Sequence, residues 1–107
     1  MIMPKSVIFI LPKDTKRTLG EIGWFFHSSG IISDLVSIKV ISFLNVKLEE
    51  EYLGIEKYQN EYTQANVVYT NNKIKEIYIR TSLQKDLFFN QLSDLLGVDE
   101  VDIFVPN

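Results

Sequence analysis

The chain has 107 residues, enough for one core and one domain spanning 1–107. Hydrophobic residues make up 46% and charged residues 23%, which excludes a disordered tail or a collagen-like repeat. A net charge of −3 argues against nucleic acid as a partner, because phosphate binding needs clustered Lys and Arg, and the absence of cysteine excludes disulfides, thiolate metal sites and cysteine nucleophiles.

The first element is a strand over Ser6–Leu11, apolar on both faces as a buried strand is. Its five-residue apolar run Val7–Leu11 stops at Pro12-Lys13, too short for a signal core of about 7–15 residues. No stretch reaches the roughly 20 apolar residues of a membrane span, so a cytoplasmic protein with no membrane partner is expected. Asp14 or Thr15 offers a helix cap, and a helix is expected to about Ser28 with Leu19, Ile22, Phe25 and Phe26 as its core stripe. Gly20 and Gly23 weaken it by about 1 kcal/mol each relative to Ala. From Leu35 to Leu48, apolar Val36, Ile38, Val40, Leu44, Val46 and Leu48 alternate with mostly polar odd positions, a strand pattern bent near Ser42. Tyr52 to Tyr62 alternates again. Ala65–Tyr69 and Lys73–Arg80 flank Asn71-Asn72, a hairpin with a turn that tolerates positive φ. Thr81 to Gln84 reads as a capping box opening a helix to Leu96, with Gly97 as its left-handed stop. Phe88, Phe89, Leu92, Leu95 and Leu96 form its core stripe, and Val101–Val105 a last strand. The fold class is α+β: a mainly antiparallel sheet with two helices packed on it, in the order β-α-β-β-β-β-α-β.

Little here suits catalysis. His27 is the only histidine, beside Ser28, Ser29 and Asp34, and a helix-terminal His favoured by the dipole is the simpler reading. No phosphate loop, G-x-S-x-G, H-E-x-x-H or G-x-G-x-x-G occurs. The carboxylate runs Glu49-Glu50-Glu51 and Asp99-Glu100-Val101-Asp102 match no calcium loop. No metal site, cofactor or catalytic residue is expected, and a non-enzymatic chain is.

Charge is more telling. The acidity concentrates in Glu49, Glu50, Glu51, Glu56 and Glu61, interleaved with Tyr52, Tyr58 and Tyr62. Acids plus tyrosines on an exposed strand suit an interface for a basic protein; a solvated sheet face with tyrosines packed on neighbours is the alternative. Trp24 falls on the polar side of the expected first helix, either covered by the chain or awaiting a partner.

The acidic, Tyr-rich stretch Glu49-Glu50-Glu51-Tyr52 through Glu61-Tyr62 and the closing unit Phe88 to Val105, in a small chain without a catalytic set, resemble the immunity proteins of bacterial toxin systems, including contact-dependent growth inhibition. The resemblance implies a cytoplasmic antitoxin that inhibits a cognate toxin, often a nuclease, by binding over its active site. A nuclease site is basic because it holds phosphates, so an acidic inhibitor complements it. A small regulatory or ligand-binding α+β domain is the alternative; an enzyme is the weakest reading, because the polar groups do not cluster.

Overall fold

The computed structural model describes residues 6–83, 85–97 and 101–106. The capping-box partner Gln84 and the candidate carboxylates Asp99 and Glu100 lie outside the described residues. The elements are β1 (Ser6–Pro12), β2 (Lys16–Gly20), β3 (Gly23–His27), α1 (Asp34–Leu44), β4 (Lys47–Tyr52), β5 (Ile55–Gln59), β6 (Thr63–Thr70), β7 (Lys73–Thr81), α2 (Lys85–Leu96) and β8 (Val101–Phe104). Six strands form one sheet in the order β4-β5-β6-β7-β1-β8, antiparallel at every pairing, and β2–β3 make a separate hairpin. The fold is α+β, as the patterning implies.

The period-two alternation of the strands sorts residues onto two faces. Ile8, Ile10, Ala65, Val67, Ile77 and Ile79 turn one way and meet Val36, Val40 and Leu44 of α1 and Phe88, Leu92 and Leu96 of α2. Phe43 and Phe88 join the two helices, with ring centroids 5.6 Å apart. On the other face Phe9 meets Tyr78 and Phe104 from the strands flanking it. The β2–β3 hairpin covers this aromatic group: Phe26 lies 4.8 Å from Phe9, and Arg17 sits 4.5 Å over the Phe104 ring.

Two expectations exchange places. The segment expected as the first helix is the β2–β3 hairpin, with Glu21-Ile22 as its turn between Gly20 and its partner Gly23. Gly23 holds φ at +133°, and a Cβ on Gly20 would stand 2.5 Å from the Phe25 ring. Two glycines three apart are costly inside a helix and useful around a turn. Leu19, Ile22 and Phe25 are therefore exposed rather than a core stripe, Ile22 at 90%.

The segment expected as a long bent strand begins as α1. The Ser33 side chain accepts from the Val36 N–H at 3.3 Å, and Asn45 ends the helix in the left-handed region at φ +54°. Val36, Val40 and Leu44 stand four apart and satisfy a helix as well as an alternation. The strand begins only after Asn45.

The later elements fall close to expectation. Asn71 and Asn72 both adopt positive φ in the β6–β7 turn. Lys75 is an extra residue in β7 at this end, and its Nζ donates to the Ser28 and Gly30 carbonyls, pinning the loop before α1. Thr81 belongs to β7 rather than capping α2; its hydroxyl pairs with that of Thr63 at 2.9 Å and accepts from the Leu83 N–H. In α2, Leu95 is exposed and Phe89 half-buried, so the core stripe narrows to Phe88, Leu92 and Leu96.

Candidate protein-binding site

The sheet order puts β4 on an edge, and all six of its residues are exposed. An open edge strand is a template for further strand pairing, and charge on it limits that to chosen partners. Glu49, Glu50, Glu51 and Tyr52 lie there, with Tyr52 66% exposed. Leu53 and Gly54 turn the chain with φ of +50° and +80°, so β5 returns beside β4. This turn breaks the single alternation expected over Tyr52 to Tyr62. Tyr52 pairs with Ile55 and Tyr58 with Leu48, on opposite faces of the sheet.

The two faces of this hairpin differ in charge. On the face away from the helices Glu50 stands opposite Lys57; on the helix face Glu51 stands opposite Glu56. Opposed like charges on neighbouring strands are unfavourable, so negative charge on this face is uncompensated by its cross-strand partner. A bulge at Glu49, between Leu48 and Glu50, sets this registry.

Glu56 is held in place. Tyr69 Oη donates to its Oε1 at 2.8 Å and Tyr58 Oη to the same oxygen at 3.2 Å. Burial and the adjacent Glu56 carboxylate raise both phenols above their ordinary pKa, so both stay protonated donors across the neutral range. The site is a groove between α1 and β5. A cavity of about 390 Å³ at the N-terminal end of α1 is lined by Asp34, Ser37, Glu56, Tyr58 and Tyr69. A second, of about 410 Å³, continues along the helix past Ile38, Ile41, Asn45 and Val46. Ser37, Ile38 and Tyr58 line both, so the two adjoin.

Glu61 and Tyr62 lie in the exposed β5–β6 connection, where the Asn60 Oδ1 accepts the Tyr62 and Thr63 N–H groups at 2.8 Å each. Trp24 stands elsewhere: its ring meets Phe104 edge-on at 4.8 Å, on the far edge strand β8, and it remains 36% exposed. It is a strand residue facing the sheet, not one on a polar helix face. His27 ends β3 rather than a helix, and the Ser28 hydroxyl accepts from the Gly30 N–H at 2.9 Å as a turn residue. Tyr69 and Asp34 are the residues of this groove that sequence reasoning did not place: the first needs the β5–β6 register, the second the start of α1.

Among the described residues no three His, Asp or Glu side chains gather as a metal site, and no helix is long and apolar enough to cross a membrane. No family model, curated protein or solved structure matches this chain.

Proposed function

We propose that this chain is a non-enzymatic protein-binding module for a basic partner, and most concretely a cytoplasmic bacterial immunity protein that binds and neutralises a cognate basic toxin such as a nuclease. The observation that supports it best is β4: an edge strand exposed at every position, carrying Glu49, Glu50 and Glu51 beside exposed Tyr52. The carboxylates supply a field that draws in a basic surface, and the tyrosine supplies contact area. Because a nuclease must hold phosphates, its active site presents the matching charge.

The test is association with a purified candidate partner, taken first from the reading frame beside this gene. Glu49→Lys with Glu50→Lys slows association about tenfold and flattens its salt dependence. Tyr52→Ala instead speeds dissociation, by about 2 kcal/mol if it is a hot spot. Equal association rates and equal salt slopes for wild type and the reversed variant remove β4 from the interface. The alternative, a small ligand-binding domain, draws on the cavities beside α1, whose 390 and 410 Å³ fall in the range of about 300–1,000 Å³ usual for ligand sites. A rise in melting temperature with a metabolite, and none with a basic protein, favours it.

A further inference from the structure

We propose that the groove between α1 and β5 seats an extended basic segment of the partner, with one arginine side chain at Glu56 and Asp34 and an apolar side chain at Ile41 and Val46. The inference rests on the protein-binding reading above and assigns it a second contact, distinct from the exposed edge of β4.

Charge complementarity chooses the occupant. Asp34 and Glu56 line the N-terminal end of the groove, and among the described residues no lysine or arginine lines either cavity. Glu51, opposite Glu56 across the strands, adds a third negative charge on the same face. Both phenols donate to Oε1 of Glu56, which fixes the carboxylate and leaves its Oε2 without a hydrogen bond among the described residues. A guanidinium suits this place better than an ammonium. It is planar, presents a fork of donors to a carboxylate, and lies flat against aromatic rings, here Tyr58 and Tyr69.

The other end of the groove offers Ile38, Ile41 and Val46 as apolar contacts, with Ser42 and Asn45 as polar neighbours. On α1, Ile38 in the groove is 64% exposed and Leu35, outside the cavity lining, 57%, although Val36 and Val40 of the same helix fill the core. A helix with apolar residues all round is suited to burial on both sides. The length also fits. Eleven helical residues span about 16 Å, and about five residues of extended chain cover the same distance. The segment would therefore carry its basic and apolar residues about four positions apart.

The test uses an acetylated, amidated pentapeptide, Arg-Thr-Val-Thr-Leu, and its citrulline counterpart, which keeps the shape and loses the charge. Titration followed by amide chemical shifts is expected to perturb residues 34–46, 55–58 and 69 with the arginine peptide, and the citrulline peptide is expected to bind about tenfold more weakly. Glu56→Gln keeps an oxygen to accept from both tyrosines, so the fold survives while arginine-peptide affinity falls by about the same factor. Equal binding of the two peptides, or shifts confined to other surfaces, overturns the groove. The two proposals fail separately. If Glu49→Lys weakens a basic protein partner while Glu56→Gln leaves its affinity unchanged, the groove is wrong and the edge reading stands. If the peptide binds as expected while no charge reversal on β4 affects a basic protein, the edge reading is wrong and the groove stands.

Discussion

Asn60 uses both ends of its side-chain amide. Its Nδ2 donates to the Leu44 and Asn45 carbonyls at 3.0 and 3.1 Å, and its Oδ1 accepts from the Tyr62 and Thr63 N–H groups. One side chain thereby joins the end of α1 to the β5–β6 turn, satisfying carbonyls that a helix end otherwise leaves orphaned. Asn60→Ala is expected to cost about 1–3 kcal/mol in denaturant titration, and Asn60→Asp to recover only the two N–H contacts. A second residue ties stability to pH. Glu76 is half-buried beside Val68, Phe26 and Leu11 in a cavity of about 300 Å³ under the β2–β3 hairpin. Burial raises its carboxyl above the ordinary glutamate pKa. The folded state thus holds this proton more tightly than the unfolded chain. Its contribution is fully present below the unfolded glutamate value and is lost as pH rises through the higher folded one. Glu76→Gln is expected to raise the melting temperature at pH 7 and to remove the part of any gain in stability seen between pH 7 and pH 4 that belongs to this group. A melting temperature that falls with the substitution at pH 7 contradicts this reading.

At the scale of elements, α2 shows what periodicity conveys and where it stops. Three residues of its apolar stripe, Phe88, Leu92 and Leu96, are buried, whereas Leu95 lies exposed one position earlier. Phe88→Ala or Leu92→Ala is expected to cost about 2–5 kcal/mol through lost burial and a residual cavity. Leu95→Ala is expected to stay within about 1 kcal/mol. Urea midpoints for the three variants check the helix phase directly. The strands β1, β6, β7 and β8 were legible because alternation, a two-Asn turn and a terminal Pro agree with one another. The β2–β3 hairpin and α1 were not. Leu19, Ile22, Phe25 and Phe26 repeat with a helical spacing, yet among the described residues Phe26 alone of these makes ring contacts with the sheet, and its partners Phe9 and Phe104 are brought to it by β1 and β8, from distant parts of the chain. In α1 the spacing of Val36, Val40 and Leu44 fits either period, and the cap at Ser33 with the left-handed Asn45 decides it. The same long-range dependence governs the groove. Glu56 and Tyr58 stand out in the sequence as part of an acidic tyrosine run, but Tyr69 joins them only through the β5–β6 register, and Asp34 only once α1 is recognised.

The whole molecule sets the two candidate contacts, the acidic stretch and Trp24, far apart. The acidic strand β4 and the strand β8, where Trp24 meets Phe104, are opposite edges of a six-stranded sheet. Five interstrand spacings of about 4.8 Å put them roughly 24 Å apart. A partner seated on β4 and in the groove beside α1 would have to wrap most of the sheet to reach Trp24 as well. Trp24 has a structural task in its own place, since its ring and that of Phe26 fasten the β2–β3 hairpin to Phe104. Trp24→Ala is therefore expected to lower stability by about 1–3 kcal/mol while leaving the association rate with a basic partner, and its salt slope, unchanged. The paired reversal Glu49→Lys with Glu50→Lys is expected to behave in the opposite way, slowing association with little change in melting temperature, because exposed charges contribute little to folding. In the triple variant the binding losses should then be additive within about 0.5 kcal/mol, as for sites that share no contacts. Association kinetics for wild type, the Trp24 variant, the reversed pair and the combination, each at two salt concentrations, measure all of this in one series. A coupling well above that limit would mean that the partner spans both edges, and that Trp24 belongs to the interface together with the acids of β4.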